Sequence, residues 1–199
     1  MATNSKKPSK EDIIALPDKR LREKSKRIGY IDESTQALAE HMIASTIDWE
    51  NTRDHEFGAA LAAIQIAEPY RVVVIRNDFD DKDEKSFAVY INPEIVKFEG
   101  EPEEGMEGCL SVPDVYGKVA RYPKVKVKAL NLQGKEVRVT ATGFLARVFQ
   151  HEIDHTNGIL FVDHVKDVNK LFKLEHSGQF SKIDKNNVPI DLPQVKKDA

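Results

Sequence analysis

The residue types best suited to chemistry are concentrated in Gln150-His151-Glu152-Ile153-Asp154-His155. Positions i and i+4 of a helix lie one above the other, so His151 and His155 can aim their imidazoles at one point, which suits a metal ion. The glutamate after the first histidine completes His-Glu-x-x-His, the zincin pattern, in which the carboxylate serves as base toward a metal-bound water. Three fixed letters in five also arise by chance, and alone the pattern leaves two ordinary helix-surface histidines as an equal alternative. A catalytic metal of the zinc type commonly takes three protein ligands. The lone cysteine, Cys109, sits in Glu107-Gly108-Cys109-Leu110-Ser111, and its thiolate would complete a Cys-His-His set. The alternative for Cys109 is a small buried hydrophobe.

Such a site needs elements to carry it. The histidine helix is expected to start at Thr142, an N-cap residue type, and to stop at Asn157-Gly158. On it Phe144, Val148, His151 and His155 share one stripe, which turns the histidines toward the apolar side, where a buried imidazole must be hydrogen-bonded or ligated. Residues 124–130 alternate strictly, with Val125, Val127 and Ala129 on one face, and residues 135–141 answer with Val137, Val139 and Ala141, as half-buried antiparallel strands do. The runs 71–76 and 86–93 read as paired strands across an acidic turn. Residues 34–50 have the spacing of an amphipathic helix, and the small apolar residues of 58–66 suit a close approach of backbones. Beyond Lys166 the text is charged, with one weak apolar repeat at Val168, Leu171, Phe172 and Leu174, followed by two prolines and no periodicity. The expectation is one catalytic domain over residues 1–166, then a short helix and a mobile tail over 167–199.

Composition narrows the class. Of 199 residues, 40% are hydrophobic and 32% charged, which fits a soluble globular chain with a core. A net charge of -3 gives no signal for nucleic acid. No apolar run approaches the roughly 20 residues that span a bilayer. The polar, basic opening lacks the apolar stretch of a secretory signal, and together these features predict a cytoplasmic protein. One cysteine excludes an intrachain disulfide.

Three ordered segments go further: Gly58-Ala-Ala-Leu-Ala-Ala-Ile-Gln65, Glu107-Gly-Cys-Leu-Ser111 and Gln150-His-Glu-Ile-Asp-His155. Together with the text between them, roughly residues 8 to 165, they closely resemble the peptide deformylase family, whose marks are Gly-x-Gly-x-Ala-Ala-x-Gln, Glu-Gly-Cys-x-Ser and Gln-His-Glu-x-Asp-His. The chain departs from the family at Ala60, which replaces the second glycine, at Ile64, which replaces a common proline, and at Thr156, which replaces a common leucine. Ala60 puts substrate affinity in question because the family's backbone there pairs with the substrate like an added strand.

The resemblance implies an α+β fold of antiparallel strands packed around a central helix that bears the metal ligands. It also implies hydrolysis of the N-terminal formyl group from N-formylmethionyl peptides of nascent proteins, with release of formate. Cys109, His151 and His155 would bind one divalent metal, commonly Fe2+ in the family, with Zn2+, Ni2+ or Co2+ also working. Glu152 would be the general base, and Gln65 with the backbone N–H of Leu110 would stabilise the oxyanion. Ala59, Ala60, Glu107, Gly108 and Val148 would line the peptide cleft, with Phe144 a further candidate for the methionine pocket. An Asp154–Arg121 pair would anchor the helix to the cysteine segment. The ribosome is a further candidate partner through the tail. The rival readings are a weakened deformylase-like peptide-binding module, a zincin-type peptidase using His164, and a purely structural domain.

Overall fold

The computed structural model describes residues 7–81 and 83–183. Among the described residues, two antiparallel sheets and two α-helices make up the fold, as expected for the α+β class. Helix α1 (Glu33–Glu50) is started by Asp32, whose carboxylate accepts the N–H groups of Ser34 and Thr35. The first sheet orders its strands β1 (Ala60–Ala62), β2 (Val72–Arg76), β3 (Phe87–Glu99), β6 (Lys124–Leu130) and β7 (Glu136–Thr142) as β1-β2-β3-β6-β7. Each neighbouring pair in it is antiparallel. The second sheet orders β4 (Glu103–Cys109), β5 (Val112–Arg121), β8 (Leu171–Leu174) and β9 (Phe180–Lys182) as β4-β5-β8-β9.

The unbroken apolar run of β2 has a physical reason, because the first sheet is covered on both faces at that strand. Val73 and Ile75 point to α2 (Gly143–His155) and pack with Ala146, Phe149 and Ile153. Val72 and Val74 point the other way, to Ala39 and Met42 of α1. In contrast, β6 is half-buried, and Val125, Val127 and Ala129 are its buried residues. The second sheet has its own core, where Val112, Val115 and Val119 meet Leu160, Phe161, Val162 and Val165. Helix α2 thus lies against the first sheet while its other side faces β4 and β5, which is the central position expected for the ligand-bearing helix.

One expectation is met and another needs correction. Thr142 is the N-cap of α2, but its side chain makes no capping hydrogen bond. The short helix expected after residue 166 is only a 3-10 turn at Val168–Lys170, and the apolar repeat that suggested more helix continues as strand β8. Leu171, Phe172 and Lys173 pair with Gly117, Tyr116 and Val115 of β5. Gly117 leaves the space that Leu171 fills, since a Cβ there would meet Leu171, Phe161 and Val165 at 3.2 Å or less. Pairing along β5 therefore overrides local helical spacing, and the second sheet runs past the boundary expected at 166. Of the span 167–199 expected to hold a short helix and a tail, Leu171–Leu174 and Phe180–Lys182 form the paired strands β8 and β9, and 184–199 lies outside the described residues. Among the described residues no helix is long and apolar enough to cross a membrane.

Candidate metal centre

Cys109 ends β4, in the second sheet, while His151 and His155 sit in the last two turns of α2. The fold brings them together across the seam between these elements. Cys109 Sγ lies 3.3 Å from His155 Nε2, which lies 3.1 Å from His151 Nε2, and the three donor atoms all fall within 4.8 Å of one another. Metal bonds of about 2.0–2.1 Å to nitrogen and about 2.3 Å to sulfur place the donors of a tetrahedral ion roughly 3.3–3.6 Å apart. The two measured edges come close to that spacing, so the residues present fit a divalent ion held by one thiolate and two imidazoles.

The surroundings fix this arrangement. His151 Nδ1 lies 3.0 Å from Glu107 Oε2, so its Nε2 is turned to the other donors. Glu107 also accepts from Arg121 at 2.9 and 3.1 Å and from Arg147 at 2.8 Å. Burial opposes its charge, but the hydrogen bonds from His151 and Arg121 outweigh it and hold the carboxyl well below the usual range. Arg121 spans to α2 through Asp154 Oδ2 at 2.6 Å, the pair expected to anchor the helix to the cysteine segment. Burial works to lower His151, yet hydrogen bonds with Cys109 and Glu107 prevail and raise it well above its ordinary value. Burial and the charge of His151 push His155 well below its ordinary value, which favours the uncharged imidazole that a metal ligand needs.

Beside the donors, the Glu152 carboxyl is buried, and its Oε2 has no hydrogen-bond partner among the described residues. Burial raises it to about 7, against a smaller opposing pull from His151. Gln65 is oriented unambiguously. Its Oε1 accepts the N–H of Ala62 at 2.9 Å, so its Nε2 must face Cys109 Sγ at 3.4 Å and Ser111 Oγ at 3.1 Å.

The family model described as polypeptide deformylase matches residues 10–171. A peptide deformylase of Thermomicrobium roseum is 46% identical over 158 residues, which cover 78% of this chain and 85% of the relative. One of Mesorhizobium japonicum is 39% identical over 181 residues, covering 90% of this chain and 96% of the relative. The crystal structure of a peptide deformylase from Synechococcus elongatus in complex with actinonin superposes with a TM-score of 0.72 at 36% identity, over 82% of this chain and 83% of that one. The chain belongs to the peptide deformylase family. Members are metal-dependent hydrolases, and the Cys-His-His group of this deformylase is a metal-ligand set.

The other residues singled out from sequence meet in one cleft of about 270 Å³. Ala59, Ala60, Gln65, Glu107, Gly108, Cys109, Leu110, Phe144, Val148, His151 and Glu152 all line it. Glu107 does so with its carboxylate committed to His151 and the two arginines. Phe144 is not turned inward with the rest of its stripe: it is 49% exposed at the cleft mouth and packs edge-on against Phe79. Ala60 is not among the residues with positive φ, so this deformylase accommodates alanine where the family has glycine. The Ala60 side chain joins Val148 and Phe149 in the core. His164, the rival third ligand, instead lies 2.7 Å from Asp154 Oδ2. Sequence reasoning missed Arg147, whose guanidinium reaches Glu107 and three backbone carbonyls of β4 and β5, because a helix arginine reads as solvated. It also missed Tyr116, whose ring covers Gly108 and whose hydroxyl donates to Glu56 at 2.6 Å, joining the two walls of the cleft. No local pattern signals that contact.

Proposed function

We propose that this chain removes the formyl group from N-formylmethionyl peptides of nascent proteins, releasing formate and a free amino terminus. Family membership supports the activity. The observation that carries the assignment of roles is the convergence of Cys109 Sγ and both histidine Nε2 atoms on one point, with Cys109, His151, Glu152 and Gln65 lining the same cleft.

Cys109, His151 and His155 would hold a divalent ion, Fe2+ by likeness to the family and replaceable by Zn2+, Ni2+ or Co2+, which would supply Lewis acidity toward the formyl carbonyl and water. As water attacks the formyl carbon, Glu152 takes its proton and delivers it to the amine released when the C–N bond breaks, a two-way transfer that a pKa of about 7 suits. Gln65 Nε2 and the Leu110 N–H donate to the formyl oxygen as it gains charge, where fixed dipoles act without titrating. Strand β1 lies at the open edge of the first sheet, so the peptide adds to it as a further strand, with the Ala59–Ala60 backbone alongside. Val148, with Phe144 at the mouth, receives the methionine side chain.

Formate release from formyl-Met-Ala-Ser by Fe(II)- or Ni(II)-loaded protein is the expected result, abolished by chelation and restored by adding the metal back. Metal-loaded, folded protein that releases no formate would refute the reading.

A further inference from the structure

Gly58 immediately precedes the cleft-lining pair Ala59–Ala60, and its backbone is held on both sides. Its N–H donates to Glu50 Oε2 at 3.0 Å, and its carbonyl accepts from Arg76 Nε at 3.2 Å. The backbone N–H of Arg76 donates to the Ala59 carbonyl at 2.8 Å. Glu50 and Arg76 are bonded to each other through Oε2 and Nη2, and Lys85 Nζ closes on Glu50 Oε1. The Arg76 guanidinium also lies over the ring of Phe57, another cleft residue, at 5.8 Å. A Cβ at Gly58 would come within 2.3 Å of Thr46 Cγ2, so this backbone is pressed against α1.

Arg76 is 2% exposed and Glu50 7%, the end of α1 meeting the end of β2. A buried ion pair is a poor device for stability alone, because desolvation absorbs most of its attraction and apolar side chains of similar volume do as well or better. It supplies direction instead. Charged groups with fixed hydrogen-bond geometry determine where the two peptide planes flanking Gly58 lie, which contacts between methyl groups cannot do.

We propose that Glu50 and Arg76 are positioning residues for the substrate's peptide backbone. By locking both polar ends of Gly58 they hold the Ala59–Ala60 edge extended before the peptide arrives, so binding need not order it. This rests on the deformylation reading above, which makes that edge the substrate's partner.

With metal-loaded protein, Glu50→Ala should raise KM for formyl-Met-Ala-Ser about tenfold while kcat changes less than about twofold. Its kcat/KM for formylmethionine amide, which has no chain beyond the first residue, should stay at the wild-type level. Glu50→Gln keeps an acceptor for Gly58 but loses the charge facing Arg76, and its KM should be intermediate. Without substrate, amide hydrogen exchange over residues 58–62 should quicken in Glu50→Ala, a readout independent of turnover. Equal losses on both substrates, unchanged exchange, or a Glu50→Gln variant indistinguishable from wild type would each overturn the proposal. Wild-type protein inactive on both substrates would instead sink the deformylation reading, and exchange would still judge the brace.

Discussion

On one face of α2, Ala146, Phe149 and Ile153 meet the five-stranded sheet through methyl and ring contacts, whereas on the other Arg147, His151 and Asp154 meet β4 and β5 through hydrogen bonds. The first contact scales with apolar area and is indifferent to orientation, so it fixes that the helix packs and roughly how deep. The second is directional, and every member has a named partner. Glu107 alone binds three cationic or ring N–H groups, so its loss would leave the buried Arg121 and the part-buried Arg147 guanidinium groups short of a counter-charge. One face therefore supplies the burial that holds the helix. The opposite face sets the rotation and register that aim two imidazoles at a sulfur from another sheet.

That division can be broken at three places. Glu152→Gln preserves shape and removes the proton carrier, and kcat should fall about 10²–10⁴-fold with metal content unchanged. A loss of less than tenfold would move proton transfer to another group. Glu107→Gln should weaken metal affinity about 10–100-fold in competition with a chelator, since an outer partner orients His151. Were its metal affinity unaltered, the polar face would be adhesive only. On the apolar face, Ile153→Val should cost about 0.5–1.5 kcal/mol in denaturant unfolding and leave kcat/KM at the wild-type value. If that methyl group changed activity as much as Glu107→Gln does, the two faces would not be separate.

Much of this was legible in the sequence where side chains obey a local period. Strand β6 falls on the expected residues 124–130, and β7 and both helices lie within about two residues of expectation, the ordinary uncertainty of element ends. The donor trio was legible because two motifs carry it, one around Cys109 and one around the histidines. The strands β4 and β5 were not, although Cys109 ends one of them. In β4 the side chains serve the site: Glu107 is buried for His151, and Gly105 and Gly108 are bare to admit Arg147 and Tyr116, so no alternation survives. Strand β8 was hidden by a helical spacing that only its partner β5 overrules. The Glu50–Arg76 pair joins residues 26 apart, beyond the reach of any local pattern.

An open strand edge also invites the wrong guest. Any extended chain can zip onto free backbone groups, and copies of one protein can join edge to edge into aggregates. Here β1 runs only from Ala60 to Ala62. So short a ladder can register a peptide already anchored elsewhere in the cleft, yet gives a stray chain too little to hold. On the reading proposed above, that brevity would act as a safeguard, serving the substrate while offering neighbouring molecules little to stack upon.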